Sequence, residues 1–346
     1  MKGLVINGFE NIELKRDIPF PTLGDDEALI KIKYIGICGS DLHHYHNANA
    51  PIGGRPHVFG HEFVGTVVES TDHGDARYQV GDFVTAIPYT SCGMCDYCRA
   101  GRESLCVELK LLGVGRNGVY TEYVKVPSSN VYPFREGINQ KIAALTEPLA
   151  IAVFDVQRIG LKVGQSVFIS GGGPIGILIG IVSRMAGALH VVFSEINENR
   201  NEFIRKMGFT ALNPTTTDVF LEAMNLNGNR KFNCCFEVSG AQPGYDLAIQ
   251  LVKNGGTFSP IALPFDKRSF DIRTITRMQI EWIGSNLYEA ESFEDAVRIV
   301  NSGRLDEQLL ACVTDVFSLE QAKEAYLFAM NPKGNHVKVL IDAQEE

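Results

Sequence analysis

Four cysteines at fixed spacing constrain this chain more than any other stretch. Cys92, Cys95, Cys98 and Cys106 read C-x2-C-x2-C-x7-C. Four thiolates so spaced can wrap one tetrahedral zinc and leave no open position, which makes a structural site. A disulfide knot and a four-iron cluster are the alternatives. The chain opens Met1-Lys2-Gly3 with no long apolar run before Asn7. A cytoplasmic protein with reduced thiols is therefore expected, which counts against disulfides. The fourth cysteine lies farther off than in the bacterial ferredoxin signature, and no proline follows it, which counts against the cluster.

A second set of metal-binding residue types lies upstream. Cys38 sits in Gly36-Ile37-Cys38-Gly39-Ser40-Asp41-Leu42-His43, and His61 and Glu62 follow in Gly60-His61-Glu62-Phe63. A thiolate, an imidazole and a carboxylate from separate loops can hold zinc while leaving a position for substrate. The flanking glycines let the backbone bend tightly around Cys38. Ser40 and His43 are near enough in sequence to pass a proton outward. Taken singly, a cysteine is more often a small buried hydrophobe and a histidine a satisfied core residue. The rest of the chain must decide.

Residues 1–35 and 64–86 carry short apolar runs punctuated by Gly and Pro. Ala28 to Tyr34 alternates, with Lys31 and Lys33 on one face and Ile30, Ile32 and Tyr34 on the other. This predicts a β-rich, barrel-like domain. After Leu161 the pattern changes to strands alternating with helices, as a parallel sheet covered on both faces requires. Strands are expected at 167–170, 190–195, 232–238, 258–263 and 280–284, with helices at 199–207, 217–224 and 245–252. The final apolar strand, Val337 to Ile341, matches the first domain better, so the tail is expected to return to it. The expected division is residues 1–147 with 287–346, and 148–286.

Val167 to Ser170 runs directly into Gly171-Gly172-Gly173-Pro174-Ile175-Gly176. Gly171, Gly173 and Gly176 fit G-x-G-x-x-G between a strand and a helix. The glycines permit a tight turn, a bare backbone against a pyrophosphate, and close helix–strand packing. Glu195 ends the next strand, where an acid can accept hydrogen bonds from ribose hydroxyls and repel a 2′-phosphate. NAD is thus favoured over NADP. Arg200 could stack on the adenine, or could equally be a solvated helix arginine. The net charge of −9 and the lack of a basic block make nucleic acid and anionic membranes poor partners.

Taken together, these motifs resemble the zinc-dependent medium-chain dehydrogenase/reductase family, in particular its sorbitol and 2,3-butanediol dehydrogenase branch. The matching pieces also include Glu147-Pro148-Leu149-Ala150. The resemblance implies a GroES-like catalytic domain plus a doubly wound Rossmann domain, two zinc ions per chain, and NAD. It implies oxidation of a secondary alcohol (a polyol, sugar alcohol, sugar acid or vicinal diol) to its ketone, by a homodimer or homotetramer. It makes Cys38, His61 and Glu62 ligands of the catalytic zinc, and Glu147 a ligand or the partner of a bound water. Ser40 and His43 would carry the proton. Pro174, Ile175, Ile261, Leu263, Ile283 and Ser285 would join Glu195 and Arg200 along the dinucleotide cleft. Ser285 and Asn286 stand where animal sorbitol dehydrogenases place an Arg-Tyr pair, and His44 where they have a tyrosine. These three are candidate substrate contacts, and the differences count against sorbitol itself. Ile87-Pro88-Tyr89-Thr90 lacks the histidine of threonine dehydrogenases, which counts against threonine. A zinc-free reductase would lack both cysteine sets, and a non-catalytic zinc ribbon would leave the glycine turn unused.

Overall fold

The ten-residue strand Glu27–Gly36 organises the first unit of the fold. It pairs antiparallel with Glu62–Ser70, Tyr123–Pro127 and Lys338–Asp342. Ala28, Ile30 and Ile32 are fully buried along it, as period-two alternation requires, while Lys31 is exposed. Each such isoleucine contributes about 1.5–3 kcal/mol by leaving water. The alternation fails at both ends, where Leu29 and then Tyr34, Ile35 and Gly36 are buried as well. The structure is a computed structural model that describes residues 1–345 apart from positions 9, 46–56, 75, 265 and 332–333.

The chain divides into two compact units, Met1–Glu147 with Glu289–Glu346, and Pro148–Tyr288. In the first, a seven-stranded sheet and a three-stranded sheet enclose a core that includes Phe59, Phe63, Tyr120 and Tyr326. The C-terminal strand Lys338–Asp342 is buried along its whole length. It lies between Glu27–Gly36 and the parallel strand Val313–Ser318, so the tail completes this unit. The Ser318/Gln321 capping box opens a 3-10 turn that leads into helix Ala322–Ala329.

The second unit holds a six-stranded, all-parallel sheet. Its order is Thr210–Leu212, His190–Ser194, Ser166–Ser170, Phe232–Glu237, Val252–Pro260, Glu281–Trp282. The central strand Ser166–Ser170 is buried throughout. That is why it reads as an unbroken apolar run rather than an alternating one. Several expected boundaries shift. Helix Gln242–Leu251 begins earlier than predicted, with Pro243 in its first turn. Val252 belongs to the following strand, where it pairs with Phe232. Gly255, at φ +63°, then bends that strand, and its register shifts before Thr257. The strand ends at Pro260, so Ile261 and Leu263 fall in the loop beyond it. Among the described residues, no helix is long and apolar enough to cross a membrane.

Candidate metal centres and dinucleotide turn

The cysteine quartet closes on itself. The Sγ atoms of Cys92, Cys95, Cys98 and Cys106 all lie within 4.8 Å of one another. Backbone N–H groups point at the sulfurs: Met94 and Cys95 donate to Cys92 at 3.4 and 3.3 Å, and Cys92 and Glu108 donate to Cys106 at 3.2 and 3.4 Å. Such donors stabilise thiolate over thiol. They hold Cys106 below its ordinary range, and hydrogen bonding from the Cys98 backbone brings Cys95 down to about 6, while burial and the Cys95 sulfur push Cys98 up to about 11. This is a donor set prepared for a thiophilic cation. All eight cysteines are free thiols.

The second cluster forms where Glu27–Gly36 leaves the sheet. Ligand atoms of Cys38, His61 and Glu62 lie within 4.8 Å of one another. Glu62 opens strand Glu62–Ser70 and is opposite Gly36. A Cβ at Gly36 would stand 2.0 Å from Glu62 Oε2, so only glycine leaves this carboxylate its place. Cys38 follows two residues on, and Ser40 Oγ donates to its sulfur at 3.3 Å. Helix Gly39–Tyr45 carries Ser40, Asp41, His43 and His44. Ser40 and His43 are exposed, as a route to water requires, whereas Asp41 is buried. His44 is half-buried, and burial lowers its pKa. Glu147 is buried but lies outside the Cys38–His61–Glu62 set, and its charge acts on both His61 and Lys338.

The site's charge favours a cation. Burial disfavours a charged His61, but the Cys38 sulfur, Asp41 and Glu147 outweigh it and raise its pKa well above the ordinary value. Buried His61 Nδ1 and Glu62 Oε1 have no hydrogen-bond partner among the described residues. A buried carboxylate oxygen without a partner, clustered with a thiol and an imidazole, fits a metal ligand set and would otherwise cost about 1–3 kcal/mol.

Four supporting residues were not assigned roles by sequence reasoning. Lys338 is 2% exposed; it forms an ion pair with Glu62 Oε2 and donates to the Ile37 carbonyl at 3.0 Å. Its signal was a lysine flanked by the apolar Val337 and Val339–Ile341. Asp41 lies 3.7 Å from His61 Nδ1 and accepts from the Tyr120 hydroxyl at 2.8 Å. Tyr326 donates to the Asp41 backbone carbonyl. Neither tyrosine lies near a motif, so only the fold brings them in.

In the parallel-sheet unit, Gly171 adopts φ +106°, and a Cβ there would meet the Ser239 backbone at 2.8 Å. Gly173 has nothing within 4 Å of a would-be Cβ, and helix Pro174–Met185 begins there without a side-chain cap. A bare backbone at an uncapped twelve-residue helix suits a pyrophosphate. Gly176 packs against the Gly171 carbonyl, and Ile175 is half-buried. Glu195 is buried, and its two oxygens accept from the Gly172 and Asn197 N–H groups at 2.7 Å each. Arg200 Nε is buried with no hydrogen-bond partner among the described residues. Leu263, Gly284 and Asn286 are exposed, and Ile261 and Ile283 half-buried. Ser285 is buried, and its hydroxyl donates inward to Asp155.

Comparison with known proteins matches this architecture. The alcohol dehydrogenase GroES-like domain matches residues 24–136, and the zinc-binding dehydrogenase domain residues 174–302. The chain is 34% identical to L-threonine 3-dehydrogenase of Streptomyces coelicolor, over 99% of both chains. It is 32% identical to 2-dehydro-3-deoxy-L-galactonate 5-dehydrogenase of Pseudoalteromonas atlantica, over 92% of both. A solved zinc-binding dehydrogenase of Sinorhizobium meliloti 1021, bound to NADP, superposes with a TM-score of 0.89 at 28% identity, covering 99% of each chain. The chain belongs to the zinc-dependent medium-chain dehydrogenase/reductase family.

Proposed function

We propose that this enzyme interconverts a secondary alcohol and its ketone using a nicotinamide dinucleotide, and that the alcohol belongs to a polyol or sugar acid. The observation that carries the reading is the convergence of Cys38, His61 and Glu62 ligand atoms within 4.8 Å, beside a buried lysine and an aspartate that hold them. Cys38, His61 and Glu62 would hold the catalytic zinc, with Glu147 behind them. Cys92, Cys95, Cys98 and Cys106 would hold the structural one. When bound, the catalytic zinc would supply Lewis acidity that lowers the pKa of an alcohol, and the dinucleotide would accept the hydride.

The chain's own residues do the rest. Asp41 faces His61 and is itself fixed by Tyr120 and Tyr326, which keeps the imidazole in place. Lys338 offsets the negative charge of Glu62. Ser40 and His43, exposed on one short helix, carry the released proton to water. Glu195 favours NAD, because its carboxylate would oppose a 2′-phosphate.

An L-threonine substrate is the second reading, favoured by the full-length similarity to the Streptomyces enzyme. The stretch Ile87-Pro88-Tyr89-Thr90, without the histidine that threonine dehydrogenases carry in this region, counts against it. The reduced thiols suit the cytoplasm, and a homodimer or homotetramer is the proposed assembly. The test is NADH absorbance on a panel of polyols, sugar acids, vicinal diols and L-threonine, alongside metal analysis. Two zincs per chain and turnover abolished by Cys38→Ser are expected. Full-rate turnover by that variant would refute the reading.

A further inference from the structure

Asp155 is a buried carboxylate with no part in the reading above. It lies on helix Thr146–Arg158, in the parallel-sheet unit, and is 1% exposed. One oxygen accepts from the Ser285 hydroxyl, and the other has no hydrogen-bond partner among the described residues. One helical turn along, Arg158 Nε donates to the Gly284 carbonyl at 2.8 Å. Two side chains of one helix face thus grip two consecutive residues of the segment that follows strand Glu281–Trp282. Ser285 itself is 9% exposed and stands between the exposed Gly284 and Asn286.

A serine hydroxyl has one proton to donate and lone pairs to accept with. While Asp155 is a carboxylate it can only accept. The Ser285 proton must then point inward, leaving lone pairs for anything outside. If Asp155 takes a proton from solvent, the acid can donate to the Ser285 oxygen, and the serine proton is released to point outward. Only O–H bonds change.

We propose that Asp155 is a positioning residue which, through Ser285, sets whether the Gly284–Ser285 segment offers the dinucleotide a hydrogen-bond donor or an acceptor. The proposal rests on the preceding reading that this unit binds a nicotinamide dinucleotide. Burial pushes the Asp155 carboxyl up to about 7, against the Ser285 hydrogen bond and the Arg158 charge, which both lower it. The two forms therefore exchange near neutral pH.

The chain's one tryptophan, Trp282, lies three residues before Ser285 and reports on this segment without cofactor or metal turnover. Its emission in the intact enzyme should titrate with a midpoint near 7. Asp155→Asn, which keeps the shape, should abolish that transition. Ser285→Ala and Arg158→Met should each move the midpoint upward, because each removes a group that favours the carboxylate. Calorimetric affinity for NADH should differ at least about threefold between pH 6 and pH 8, and this difference should vanish in Asp155→Asn. A Trp282 transition that survives Asp155→Asn, or an affinity whose pH dependence is unchanged by it, would overturn the proposal. An intact Trp282 transition with no dinucleotide bound at either pH would instead overturn the dinucleotide reading, and this role with it.

Discussion

The Lys338–Glu62 pair can be tested against the zinc site that it supports. Both side chains are buried, at 3% and 1% exposure. Lys338→Met keeps the length and apolar stem but removes the charge, leaving Glu62 beside Cys38 and within the field of Glu147. Breaking a buried pair by removing one partner costs about 3–5 kcal/mol. At about 2–4 °C per kcal/mol for a domain of 150–250 residues, the midpoint of thermal unfolding should fall by roughly 6–20 °C. A cation held by Cys38, His61 and Glu62 would offset the orphaned carboxylate, so the loss should shrink when zinc is saturating. Unfolding is followed by circular dichroism for wild type and variant, with chelator and with excess zinc. Adding Glu62→Gln to the variant should restore most of the loss in chelator, since the double change removes both charges. Burial disfavours the Lys338 charge, but Glu62 and Cys38 raise its pKa net above 10.5. Lys338's own contribution is accordingly present below that value and is lost as pH rises through its folded-state pKa. An equal loss with and without zinc, or a loss under about 1 kcal/mol in chelator, would refute this account of the site.

Much of this was legible because local chemistry fixed it. The quartet Cys92–Cys106 folds within one short loop region, so spacing alone brings its sulfurs together. The turn Gly171–Gly176 is likewise local, and the strand before it and the helix after it are where the glycine pattern requires. Cys38, His61 and Glu62 are adjacent because Glu27–Gly36 pairs antiparallel with Glu62–Ser70, a pairing that no local pattern in either stretch dictates. The frame around them was not legible. Lys338 arrives from about three hundred residues away by strand pairing, and Tyr326 from a helix packed on the same sheet. Register over such separations depends on the whole core rather than on any segment. Ser285 shows the opposite limit. Its place by resemblance was beside a ligand, but its hydroxyl is engaged by Asp155, an acid in an otherwise apolar helix face that periodicity alone would leave as an anomaly.

Three further outcomes follow from the same geometry. Cys95→Ser should lower zinc content from two to one per chain and destabilise the first unit, as metal analysis and thermal unfolding would show; unchanged zinc content would count against a structural site. Gly36→Ala places a methyl where Glu62 Oε2 now stands, so affinity at the catalytic site should fall about 10–100-fold in a zinc competition titration, and an unchanged affinity would mean that Glu62 is not a ligand. For Asp155→Asn, stability itself should become less dependent on pH, and the sign can be worked out. The Asp155 pKa is about 7 when folded, against 3.8 for the unconstrained side chain. Between those values the folded state binds the extra proton, so this group makes stability fall as pH rises from about 4 to about 7 and adds nothing further above that. A shift of about three units corresponds to roughly 4 kcal/mol. Asparagine carries no such proton. The variant should therefore gain on wild type steadily across that window in urea unfolding, with the difference levelling off by about pH 8. A difference that is flat with pH, or that runs the other way, would show that Asp155 is already ionised and satisfied in the folded protein.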